Sequence, residues 1–191
     1  MYFPSDMNFQ YFFFDTYPGF FLQALPAALL AGMISVIWQR KRRAVSVGKA
    51  ILPSLFVAYL TGLLCITLFS YLLGDFYFLL FYRHMPGGAS HWFCFEYDFV
   101  PDFFKNFGIE NLGNILIFLP FGLLYPFFNR RATWKRTVLA GGFTSLSIEL
   151  LQPVFGRSFD VNDLILNGFG VLLSAGLFWG VKSLLRRKHT C

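Results

Sequence analysis

The sequence predicts an all-α protein, a polytopic transmembrane helical bundle of about five spans with an aromatic-rich outer interfacial cap. Three observations carry that prediction. Hydrophobic residues make up 56% of the 191 and mean hydropathy is +0.55, more apolar surface than a soluble domain of this size hides in one core. Charged residues are only 14%, and they are bunched between long apolar runs, which keeps costly charges out of hydrocarbon. Aromatic residues reach 21%, and many crowd one connecting segment.

Five runs approach the roughly 17 to 25 mostly apolar residues needed to cross a hydrocarbon core about 30 Å thick. The first, Phe20 to Trp38, is preceded by Asp6 and Asp15 instead of a basic stretch, so it lacks the start of a cleavable leader and is expected to be retained. The second is Ile51 to Leu73. The third, Asn114 to Phe128, is short and carries Pro120 and Pro126; it is expected to be kinked, tilted or extended upstream through Asn111 and Leu112. The fourth, Thr137 to Phe155, and the fifth, Val161 to Val181, are joined by the short Gly156 to Asn162 turn.

Charge sets the expected orientation, because short cytoplasmic loops collect Lys and Arg. Arg40, Lys41, Arg42, Arg43 and Lys49 fall on the same side as Arg130, Arg131, Lys135, Arg136, Lys182, Arg186, Arg187 and Lys188, thirteen of the 16 cations. That places the N-terminus outside and the C-terminus inside. The net charge of +6 records topology; its cations sit at span ends and form no continuous basic face for nucleic acid. The chain divides into residues 1–110, two spans plus the cap; 111–182, a three-helix core; and 183–191, a basic cytoplasmic tail able to meet anionic lipid heads. Cys65 falls mid-membrane, Cys94 outside and Cys191 at the inner tail, too far apart to form a disulfide framework.

The stretch from Gly74 to Gly108 is the longest outside the spans, and its many rings, Phe76 to Phe107, are too apolar for a solvated loop. Amphipathic aromatics are stable at a bilayer interface, so this segment reads as a cap lying in the outer interface. A Pro86, Gly87, Gly88 turn is expected to interrupt it, and the first nineteen residues share its character. His84 and His91 belong to this cap, where interfacial polar roles suffice to explain them.

The informative polar residues lie at the outer ends of the last three spans. Asn111 and Asn114 are three apart and share a helical face if the third helix starts that early. Glu149 and Gln152 share a face on the fourth, with Ser145 a turn deeper. Extending the fourth helix to Phe155 puts Glu149 roughly 9 to 10 Å below its outer end. Arg157, Asp160 and Asp163 follow across the turn, and Asn167 lies on the fifth span. A carboxylate inside a membrane is a functional-site candidate by default, and Arg157 is its expected counter-charge. The competing reading is that these groups only brace three helices together. Asp160 also suits an exposed loop and Asp163 an N-cap. Gly113, Gly122, Gly168 and Gly170 are expected to permit close helix packing.

The runs NLGNILIFLPFGLLYP, Asn111 to Pro126, and SIELLQPVFGRSFDVNDLILNGFG, Ser147 to Gly170, resemble the VanZ-like family. Asn111, Asn114, Pro120 and Gly122 match its first motif; Glu149, Gln152, Arg157, Asp160, Asp163, Asn167 and Gly170 match its second. The resemblance covers about the last two thirds of the chain. It implies a bacterial plasma-membrane protein, with some relatives linked to low-level resistance to glycopeptide antibiotics of the teicoplanin and lipoglycopeptide type.

Two mechanistic classes follow. In the first, an outer-leaflet polar pocket formed by Asn111, Asn114, Glu149, Gln152, Arg157, Asp160, Asp163 and Asn167 binds an amphiphile's head, the ligand being a lipoglycopeptide, a lipid-linked wall precursor or another membrane lipid. In the second, a lipid head-group hydrolase or transferase uses Glu149 or Asp160 as general base and Arg157 to steady an anion. No cofactor is expected, although Glu149, Asp160 and Asp163 offer the oxygen ligands a divalent cation prefers. Neither a Ser-His-Asp order nor a phosphate-binding loop accompanies them, and five spans without a repeated half offer no alternating-access machinery.

Overall fold

The computed structural model describes residues 8–84, 92–105 and 107–188. Its helices run in the order α1 (Phe9–Asp15), α2 (Tyr17–Arg43), α3 (Val47–Thr67), α4 (Ser70–Tyr82), α5 (Ile109–Phe128), α6 (Trp134–Leu151) and α7 (Val161–Lys188). A 3₁₀ turn, Gln152–Phe155, prolongs α6. Two short strands, β1 (Tyr97–Asp98) and β2 (Phe159–Asp160), pair in parallel. Five helical segments, α2, α3, α5, α6 with its 3₁₀ turn, and α7, are long and apolar enough to cross a membrane. The chain is therefore a multi-pass helical membrane protein, as composition predicts.

The span limits differ from the sequence expectation in instructive ways. The second span starts at Val47 and stops at Thr67, not Leu73. Leu68 and Phe69 both direct their N–H groups to the Leu64 carbonyl, at 2.9 and 3.2 Å, and the chain restarts as α4. Hydropathy is equally high on both sides of this break, so it cannot separate a spanning helix from the segment after it. The third span does extend upstream, to Ile109, and is continuous through Pro120 and Pro126. α6 proper ends at Leu151, and the span continues to Phe155 as the 3₁₀ turn, with Glu149 two residues before the change.

The packing is asymmetric. α2 lies chiefly along α3, whereas α5 lies along α7 and α6 packs on α7. Small residues permit the closest approaches. A Cβ on Gly170 would stand 2.3 Å from the Ile115 carbonyl oxygen, and one on Gly122 would stand 2.2 Å from Ser174 Oγ. Gly141 meets Val171 in the same way across α6 and α7. Gly113 and Gly168, expected to do likewise, face open space. Phe56, Leu63, Phe118, Phe121, Ile148 and Val171 form the buried core between α3, α5, α6 and α7, and Tyr59 Oη donates to the Ile117 carbonyl at 2.9 Å. Near the basic end, Gln39 joins α2 to α3 by donating to Ser54 Oγ at 2.9 Å and to Ser35 Oγ at 3.2 Å. Leu29, Leu139, Phe143 and Leu177 point outward, as lipid-facing residues should.

The cap has two parts. In one, α1 rests on α4 through rings: Phe13 packs edge-on to Tyr77 and Phe81 at 5.3 and 5.5 Å between centroids, and Tyr77 Oη donates to the Gln23 carbonyl of α2. The N-terminal segment thus joins the cap. In the other, residues 92–105 cross the ends of α6 and α7 as an irregular run that includes β1 and closes in a turn at residues 102–105. The expected Pro86 to Gly88 turn, His91 and Cys191 lie outside the described residues.

Candidate functional site

At the cap end, α6 and α7 each present a pair of polar residues four apart, which places each pair on one side of its helix. The helices run antiparallel across a short connection, so the pairs meet level by level. Asn167 Nδ2 of α7 donates to Ser145 Oγ of α6 at 3.1 Å. One turn nearer the cap, Glu149 lies within electrostatic range of Asp163. From α5, Asn114 Nδ2 donates to Asp163 Oδ1. Glu149 is 1% exposed and Asn167 4%; the Oδ1 of Asn167 is buried without a hydrogen-bond partner.

The connection between α6 and α7 is built by local geometry. Gly156 ends the 3₁₀ turn at φ 83, a left-handed conformation that a residue lacking Cβ enters freely. The Gln152 carbonyl accepts from the N–H of both Gly156 and Arg157. Gln152 is buried at the junction of α6 and the 3₁₀ turn, still in helical conformation with its N–H donating to the Ile148 carbonyl. Past the turn, the Asp160 N–H points to Glu149 Oε2 at 3.4 Å. Asp160 Oδ1 accepts from the Asn162 N–H at 2.7 Å, which caps the start of α7. The N-cap role expected of Asp163 therefore belongs to Asp160, and Asp163 is released to bond with Asn114.

Arg157 acts on the cluster by charge and makes its hydrogen bonds elsewhere. Its guanidinium donates to the Ile66 and Thr67 carbonyls, both at 3.5 Å, at the C-terminal end of α3, where the helix dipole favours a cation. Its charge reaches Glu149 and Asp163, but its hydrogen bonds go to backbone. Asn111 occupies the first turn of α5, half-buried, three residues before Asn114.

Three contributors escaped the sequence reading. Glu110, four residues before Asn114, meets the phenol of Tyr17 at the start of α2, within electrostatic range of Arg157 and Asp163. Glu110 had a readable signal in that spacing; Tyr17, nearly a hundred positions away, had none. Asn162 is 5% exposed and clamps the cap: its Oδ1 accepts from the N–H groups of Asp102 and Phe103 at 3.0 and 3.3 Å, and its Nδ2 donates to Asp102 Oδ1 at 2.9 Å. The Cys94 N–H to Pro153 carbonyl bond at 2.9 Å and the Phe159 N–H to Glu96 carbonyl bond at 3.0 Å complete that attachment.

Among the described residues, no three acidic, histidine or cysteine side chains converge closely enough to hold one ion. Glu149, Asp160 and Asp163 do not close into a metal cage; the first two are linked through a backbone N–H, and the third is turned toward α5.

Comparison with known proteins agrees with the polar pattern. Neither curated proteins nor solved structures give a match. The VanZ/LLP1 family model matches residues 56–185, which include the second half of α3, all of α4 to α6, nearly all of α7, and the site residues from Glu110 to Asn167. With that match over more than half of its length, the chain belongs to the VanZ-like family.

Proposed function

We propose that the cap-end cluster binds the polar head of an amphiphilic cell-envelope ligand without turning it over, with the tail held along the apolar flank. The ligand class is that of lipoglycopeptide antibiotics and lipid-linked wall precursors, and the expected consequence is a glycopeptide-resistance role. Asn111, Asn114, Glu149, Gln152, Arg157, Asp160, Asp163 and Asn167, joined by Tyr17 and Glu110, form the binding set. The observation that carries this reading is the facing of Glu149 and Asp163 beside an unpartnered buried Asn167 Oδ1. A cluster that only braced helices would satisfy its own polar atoms. The family match supports the envelope setting.

The same reading puts the protein in a bacterial plasma membrane with the cap outside and the C-terminus in the cytoplasm, supported by the thirteen cations at the other end. Cys94 should then react with a membrane-impermeant maleimide in intact cells, and labelling that requires permeabilisation would reverse the orientation. The functional test is saturable binding of a lipoglycopeptide or a lipid-linked precursor to the purified full chain, paired with teicoplanin susceptibility of cells. Absence of binding, or resistance left intact by Glu149→Gln combined with Arg157→Ala, overturns the proposal. Release of a head-group product from lipid extract, lost in Glu149→Gln, would replace it with the hydrolase or transferase reading.

A further inference from the structure

The electrostatics of the cluster specify its ligand more narrowly. Glu149 and Asp163 lie in each other's range, and Asp160 and Glu110 add two more carboxylates around Asp163. Carboxylates removed from water require opposite charge or hydrogen-bond donors in place of their hydration. Few donors are present. Glu149 receives one backbone N–H, from Asp160 at 3.4 Å, and Asp163 receives the Asn114 amide. Arg157 supplies a single positive charge within range of both, while its hydrogen bonds go to the Ile66 and Thr67 carbonyls.

One turn below Asp163, on the same face of α7, Asn167 holds an acceptor with no donor, while its Nδ2 is engaged by Ser145. Turning the Asn167 amide over would exchange that free acceptor for a free donor but leave the carboxylates as they are. The cluster is thus rich in acidic groups and acceptors, four carboxyls against one guanidinium. A phosphate would add more of both, whereas an ammonium supplies positive charge and N–H donors together. At the exposed rim, the Tyr17 ring and the Glu110 carboxylate stand side by side, a pairing that suits a cation arriving from the interface.

We infer that the cap-end cluster selects an amphiphile whose head carries an ammonium group over one whose head is a phosphate. This assignment rests on the binding reading above and names the chemistry that the site recognises.

The test uses the full chain in dodecyl maltoside micelles, titrated calorimetrically with decylammonium and with decyl phosphate, empty micelles being subtracted. Decylammonium should bind saturably and at least about tenfold more tightly than decyl phosphate. Asp163→Asn should weaken it about tenfold and Asn167→Ala several-fold, while Ser54→Ala, at the opposite end of the bundle, leaves it unchanged. If Asp163→Asn unfolds, Asn167→Ala alone decides. Decyl phosphate binding as tightly as decylammonium overturns the inference, as does an ammonium preference undiminished in the folded variants. Saturable binding of a lipoglycopeptide or lipid-linked precursor without decylammonium binding rejects the ammonium assignment and leaves the binding proposal standing; binding of none of these ligands rejects both.

Discussion

Alanine at Gly170 and at Gly168 should have opposite effects, although the two residues are separated by one position on the same helix. At Gly170 the new Cβ would lie 2.3 Å from the Ile115 carbonyl oxygen and 3.3 Å from Phe118 Cβ. Ordinary contact begins near 3.4 Å, so α5 and α7 must separate locally by about 1 Å. The nearer obstacle is helical backbone and cannot rotate aside as a side chain can. Overpacking of this kind costs about 1–3 kcal/mol, against a helix-propensity gain of up to ~1 kcal/mol for replacing glycine by alanine. Gly168 has nothing within 4 Å of its added Cβ, so there only the gain applies. Reversible unfolding in mixed micelles of mild detergent and dodecyl sulfate should show Gly170→Ala less stable than the parent and Gly168→Ala equal to it or more stable. The Asn114 to Asp163 bond crosses the same helix pair, so Gly170→Ala should also weaken ligand binding. Equal stability of the two variants would refute the close-packing argument for α5 and α7.

Three further outcomes follow from the hydrogen bonds. Gln39→Leu removes one bond between α2 and α3, to Ser54, and one within α2, to Ser35, and at about 0.6 kcal/mol for an interhelical bond should lower stability by roughly that amount; an unchanged unfolding midpoint would show that the Ser54 to Ser35 bond and apolar contact suffice to hold α2 on α3. Asn114→Ala and Asp163→Asn should be non-additive, with a coupling of about 0.5–3 kcal/mol in a double-mutant cycle; additive losses would mean that the two side chains act separately. Asn162→Ala should speed hydrogen exchange at the Asp102 and Phe103 amides, since it removes their shared acceptor, and cost about 1–3 kcal/mol locally; unaltered exchange would show the cap held by its strand pairing.

The bundle was readable in the sequence because a bilayer demands long apolar runs, and such runs need no tertiary context to be seen. Pairing Asn111 with Asn114 and Glu149 with Ser145 needed only the helical repeat. The roles were less legible. In sequence Asp160 suits an exposed loop and Asp163 an N-cap, and the exchange of those roles depends on where α7 starts and where α5 places Asn114. Arg157 and Glu149 carry opposite charges nearby in the chain, yet the carbonyls at the end of α3 claim the guanidinium's hydrogen bonds. Those carbonyls have no sequence signature. Likewise Gly113 and Gly168 cannot be told from Gly122 and Gly170 until the partner helix is in position. Tyr17 reaches Glu110 only because α2 and α5 start at the same end of the bundle.

The attachment of residues 92–105 has a consequence for how this part of the chain can change over time. The segment is joined to the α6–α7 connection mainly through main-chain groups: the two-residue pairing of β1 with β2, Cys94 to Pro153, Glu96 to Phe159, and the Asn162 clamp. Phe93 and Phe95 meanwhile are exposed and stack on each other, whereas Phe99 and Tyr97 lay their rings against Phe159. Peptide groups are common to every residue except proline's missing N–H, so this part of the tether places few demands on side-chain identity; the demands fall on Asp102, whose carboxylate accepts from Asn162, and on the rings of Trp92, Tyr97 and Phe99 that meet Phe155 and Phe159. The segment is in part a replaceable surface on a fixed mount, and the exposed rings of Phe93 and Phe95 can drift or be redesigned while the carboxylates beneath stay in register.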